Sequence, residues 1–110
     1  MAGSAETVRD LERWFRQEVA RRWPAALGSL SLRRSPCTRE RCHACATGEQ
    51  HPSYVLYGRQ QGRRWALYVP DRLVPAVRQA LANGRALRAL LQEAGRRYVL
   101  ALKREPPRAR

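Results

Sequence analysis

The chain has 110 residues, room for one domain with a modest core, and its 44% hydrophobic content excludes disorder from end to end. Its 22 basic residues against 9 acidic ones leave a net charge of +13, which points towards a polyanionic partner. No apolar stretch approaches the ~20 residues that span a bilayer, and no charged start leads into an apolar run of signal length, so a cytoplasmic protein is expected.

Residues 1–6 read as a loose end. Thr7 followed three residues later by Asp10 is a capping-box arrangement, and a helix is expected to start there. Val8, Leu11, Phe15, Val19 and Trp23 recur at three- and four-residue steps, which places them on one face, and Pro24 closes the run. That stripe reads as core packing.

Beyond Gly28, Leu30 and Leu32 alternate with Ser29, Ser31 and Arg33, the period of a short, half-buried strand that could be an edge. Residues 54–57 and 65–69 are rich in aromatic and branched side chains, with Gln60, Gln61 and Gly62 between them, and predict a hairpin. Arg59, Arg63 and Arg64 crowd its tip. Leu56, Trp65 and Leu67 are expected in the core, whereas Tyr57 and Tyr68 are open to another use.

From Asp71 a second helix is expected, because Leu73, Val77, Leu81, Gly84, Leu87, Leu91, Ala94, Tyr98 and Ala101 hold helical steps. Asn83-Gly84 is also a turn signal, but the apolar face stays in phase across it, which favours one long helix. Residues 103–110 read as a basic tail. The compact part is therefore expected over 7–102, as an α+β domain: an N-terminal helix, a small antiparallel sheet of two or three strands, and a long C-terminal helix.

Three cysteines in nine positions make a poor disulfide framework and fit a reducing compartment. Cys42-x2-Cys45 has the spacing of a zinc knuckle, two thiolates from one tight turn gripping one tetrahedral ion. Cys37 and His51 flank it at distances that close a Cys3His site. His43 sits inside the turn, where side chains tend to aim away from the metal, so His51 is the preferred fourth ligand over His43. Such a closed site contributes folding energy and performs no chemistry. The H-x-E and P-C-x-x-C pattern of a zinc deaminase is absent, and no paired-carboxylate metal site stands out, so no enzyme is expected.

The residues Gly28-Ser29-Leu30-Ser31, Cys37, Cys42, Cys45, His51-Pro52-Ser53-Tyr54, Gly62-Arg63, Tyr68-Val69-Pro70, Leu73-Val74, Val77-Arg78 and Arg85-Ala86-Leu87 together form a pattern. It resembles an uncharacterised family of short prokaryotic proteins, often associated with transposase genes, over about residues 28 to 95. The chain departs from that family in having two residues rather than one between its last two cysteines, and Pro52 where glycine commonly follows the histidine. The resemblance treats the three cysteines and the histidine as one unit, and implies a nucleic-acid role by association with mobile elements.

A basic accessory protein that binds DNA or RNA is the expected function, through Arg59, Arg63, Arg64, Arg85 and Arg88 on phosphates and Tyr57 on a base. The alternative is a protein-interaction subunit of a transposition or regulatory complex, pairing through its long helix. Leu87, Leu91 and Tyr98 would then contact a homodimer mate or another partner, unless the first helix covers them.

Overall fold

A computed structural model describes residues 5–35 and 51–106. The order of elements is helix α1 (Val8–Ala20), strands β1 (Ser29–Ser35), β2 (His51–Gln60) and β3 (Arg63–Val69), a 3-10 turn over Asp71–Leu73, and helix α2 (Val74–Arg104). The fold is α+β, with an N-terminal helix, a three-stranded antiparallel sheet and a long C-terminal helix. Backbone packing divides the chain into two units, one of Ala26–Leu81 and one of Met1–Ala25 with Ala82–Arg110.

In the first unit the sheet order is β1-β2-β3, so β2 is central and both of its neighbours are edges. The β2–β3 hairpin closes with Gln60 opposite Arg63, leaving Gln61 and Gly62 as a two-residue loop. Both have positive φ, 52° and 78°, the requirement of a turn whose twist matches the strands. The core of this unit is Leu56, Val69, Val74 and Leu81, with Ala26, Leu30, Tyr54, Trp65 and Val77 packed against it. Each fully buried side chain of this size contributes about 1.5–3 kcal/mol.

In the second unit α1 starts on the capping box read from the sequence. The Thr7 hydroxyl accepts from the Asp10 amide at 3.0 Å, and the Asp10 carboxylate accepts from the Thr7 amide at 3.3 Å. Hydrogen bonding of its carboxylate with Thr7, first with the side chain and then with the backbone amide, holds the Asp10 carboxyl below its ordinary 3.8. The helix ends at Ala20 with Arg21 as its cap, three residues before the expected end. Trp23 therefore leaves the apolar face and is 76% exposed, since the proline after it disfavours helical geometry.

Helix α2 runs unbroken through Asn83-Gly84. Asn83 is held there by its side-chain amide, which donates to the Pro24 carbonyl at 2.8 Å. At 1.5 Å per residue α2 is about 46 Å long. Val74 and Leu81 bury its start in the sheet unit, and Leu90, Ala94 and Ala101 are buried in the helical unit. Among the described residues no helix is long and apolar enough to cross a membrane.

Candidate nucleic-acid interface

Side chains alternate across a strand, so the register assigns each sheet residue to a face. Leu56 pairs with Leu30 and Leu67, and Tyr54 with Leu32 and Val69, on the core side. Tyr57 pairs with Ser29 and Ala66, Val55 with Ser31 and Tyr68, and Arg59 with Arg64 on the other. Arg33, opposite Ser53, shares that outer face. One surface thus carries Tyr57, Tyr68, Arg33, Arg59 and Arg64. Tyr57 and Tyr68 are diagonal neighbours across the strand pair, a spacing of about 7–8 Å between Cα atoms.

Tyr68 is 63% exposed, as are Arg33, Arg59 and Arg64 in large part, while Tyr57 is half-buried. The Tyr57 hydroxyl accepts from Arg33 Nη1 at 2.5 Å, which fixes the ring against β1. Among the described residues none of Arg33, Arg59, Arg63 and Arg64 makes an ion pair, and among the described residues of this unit Asp71 is the one carboxylate, Glu40 and Glu49 lying outside them. Like charges directly opposite on two strands repel. Arg59 facing Arg64 is therefore a position where an anion would relieve an unfavourable contact.

The three arginines of the hairpin tip do not form one cluster. Arg59 and Arg64 share the outer face, whereas Arg63 pairs with Gln60 and falls on the core-side face, beyond the core. Leu67, expected in the core, is 58% exposed although it shares the core-side face with Val69 and Trp65, which do pack there. Trp65 does pack on the core, where Gly58 opposite it leaves room for the indole. Arg33 was missed by sequence reasoning, although its place in the β1 alternation carried the signal.

Arg85 and Arg88 are exposed on α2 in the helical unit, with no ion pair among the described residues. Arg97, a third cation off the apolar stripe, is withdrawn from solvent. Its guanidinium lies 4.0 Å over the Trp14 ring, bonds Glu6 through Nε at 3.1 Å and through Nη2, and pairs with Glu93 at 3.2 Å. The hydrogen bond from Arg97 holds the Glu6 carboxyl below its ordinary 4.5, and the same bond raises the Arg97 guanidinium. Arg78 stacks on Tyr54 at 5.6 Å and lies on the core-facing side.

Cys37, Cys42, Cys45 and His43 lie outside the described residues. His51 opens β2 with Ser35 as its Cα partner, so the ladder sets the end of β1 beside the start of β2. Among the described residues no group of three or more histidine, cysteine or carboxylate side chains could hold a metal. Comparison with known proteins finds no matching family model, no matching curated protein and no matching solved structure.

Proposed function

We propose that the protein is a cytoplasmic accessory factor that binds nucleic acid, DNA or RNA, with its outer sheet face laid along a single strand. The observation that supports this is the meeting on one face of two tyrosines with Arg33, Arg59 and Arg64, with no carboxylate among the described residues of that face. Aromatic faces stack bases irrespective of sequence while arginines hold the phosphates between them. Arg85 and Arg88 add attraction from the helical unit, and Arg63 reaches phosphate from the rim of the tip. Cys37, Cys42, Cys45 and His51 hold a structural zinc in this reading. The ladder pairing of Ser35 with His51 supports it, because it lowers the entropy of closing a site between the two strand ends. Work beside a transposase is the setting the family resemblance suggests.

Fluorescence anisotropy with labelled single strands at several salt concentrations tests the reading. Three phosphates neutralised on a single strand give a slope of log affinity against log salt of about −2, at roughly −0.7 each. Replacing Arg59 and Arg64 together by alanine makes it shallower by about 1.4, whereas Arg63→Ala changes it by less. Tyr68→Ala costs about 1–3 kcal/mol on single strands and little on duplex. A flat salt response, or equal binding by a scrambled basic peptide of matched charge, refutes the proposal.

A further inference from the structure

Helix α1 lies against α2 along a seam that buries Leu90, Ala94 and Ala101, with Arg97 reaching Glu6 and Trp14 across it. At about 3.6 residues per turn, Leu91, Gly95, Tyr98 and Leu102 form the next row of α2, outside that seam. They are not covered: Leu91 is 63% exposed, Tyr98 45% and Leu102 45%. Leu91, Gly95 and Tyr98, together with Val8, Leu11 and Phe15 of α1, line a groove of about 410 Å³ within the helical unit, and Leu102 continues the row beyond it. Its floor at Gly95 is open, since a Cβ there would meet nothing within 4 Å.

The two rims of the groove differ in charge. On α1, Glu12 and Arg16 neutralise each other in an ion pair of 2.8 Å. On α2, the row beyond the apolar stripe carries Arg88, then Arg85, Arg96 and Lys103, all exposed and none in an ion pair among the described residues. We propose that this groove is a docking site for an amphipathic helix of a partner protein, with apolar anchors along one face and acidic side chains along the edge that meets Arg88.

From Leu91 to Leu102 the stripe measures about 16 Å, enough for three turns of a docked helix with anchors at helical spacing. The open floor at Gly95 admits the largest anchor. A second copy of the chain fits poorly, because a two-fold contact through this stripe sets the Arg88 row against its own symmetry mate. An acidic helix meets the same row with opposite charge, which favours it over wrong partners and speeds its encounter. The site goes beyond the nucleic-acid reading, with which it shares Arg85 and Arg88 but none of the sheet residues that carry it.

The probe is a short synthetic helical peptide with leucines on one face and glutamates beside them, titrated into the full-length protein. A second peptide with lysines in place of the glutamates is the control. Binding of one glutamate peptide per chain is expected, with amide shifts centred on Leu91, Gly95 and Tyr98, and little binding of the lysine peptide. Gly95→Gln should hold or raise the melting temperature, since glycine is costly inside a helix, while cutting peptide affinity about tenfold, the scale of one lost anchor. Arg88→Glu should weaken the glutamate peptide and strengthen the lysine one. Equal binding of both peptides overturns the proposal, as does undiminished binding to Gly95→Gln. Loss of single-strand affinity in Gly95→Gln, or a dimer in sedimentation that Gly95→Gln dissociates, would overturn it in favour of nucleic acid or a second copy. Nucleic-acid affinity unchanged in Gly95→Gln keeps the failure of this site distinct from failure of the sheet face.

Discussion

Gly58 is the most sensitive position of the hairpin that carries the sheet face. It stands opposite Trp65, and a Cβ added to it would fall among the atoms of the indole ring. The ring is rigid and packs on the core of Leu56 and Val69, so it cannot step aside without disturbing them. Overpacking of this kind costs about 1–3 kcal/mol. Replacing glycine by alanine returns only about 0.4–1 kcal/mol by restricting the unfolded chain, so the clash wins. At roughly 4–8 °C per kcal/mol for a chain of this size, Gly58→Ala should melt about 5–15 °C below the wild type. Adding Trp65→Leu should cost less in the Gly58→Ala background than alone, because the two side chains compete for one space. Thermal unfolding followed by circular dichroism measures both. Tyr57 and Arg59 flank Gly58, so affinity for single strands should fall with stability. A Gly58→Ala protein that melts at or above the wild-type temperature refutes the packing argument.

Elemental analysis should find about one zinc per chain, with Cys42→Ser lowering the melting temperature well below the effect of His43→Ala; no metal, with unchanged melting in chelator, removes the zinc proposal. Acid should loosen the helical unit first. Glu6 and Asp10 have folded values below their ordinary 4.5 and 3.8, Glu6 chiefly through its bond from Arg97 and Asp10 through its bond to Thr7. A depressed carboxylate stabilises above its unfolded value and loses that contribution as pH falls through the folded one. Melting temperature should therefore be level between pH 7 and about 5 on their account and decline below about 4.5. Glu6→Gln should flatten that decline, and an unaltered acid limb counts against the pair.

The elements were readable because their signals are local. Thr7 and Asp10 announce α1 within one turn, Gly62 gives the hairpin loop a residue that accepts positive φ, and the alternation of Leu30 and Leu32 marks a half-buried strand. What escaped depends on register and on distance along the chain. Whether Arg63 or Arg64 joins Arg59 is decided by a single step of the ladder, since a shift of one residue exchanges the faces. Leu67 looks like core in a pattern of alternating apolar residues, yet it is exposed while Val69 two residues on is buried, a difference set by what covers each part of the face rather than by residues 63–69 themselves. Arg97 resembled Arg85 and Arg88 in sequence. Its burial against Trp14 and Glu6 joins residues more than eighty positions apart, beyond any periodicity argument.

The distribution of acidic residues bears on the competing view that the charge serves only solubility. Glu6 is bonded to Arg97, Asp10 caps Thr7, Glu12 pairs with Arg16, and Glu18 with Arg21 and Arg22, so the carboxylates at the start of the chain are already engaged in the helical unit. Among the described residues the sheet face has no such partners, and at a screening length of about 8 Å in physiological salt, compensation comes from groups close by. A face kept charged only for solubility gains nothing from Tyr68, which is more than half exposed on the face that carries Arg59 and Arg64. It gains nothing either from directing Arg59 at Arg64, where each raises the other's cost. Both features become favourable together when phosphates lie between the arginines and bases lie on the tyrosines. One ligand class thus accounts for two otherwise costly arrangements on the same surface, and for that reason the face, rather than the total charge, is the stronger argument for nucleic acid.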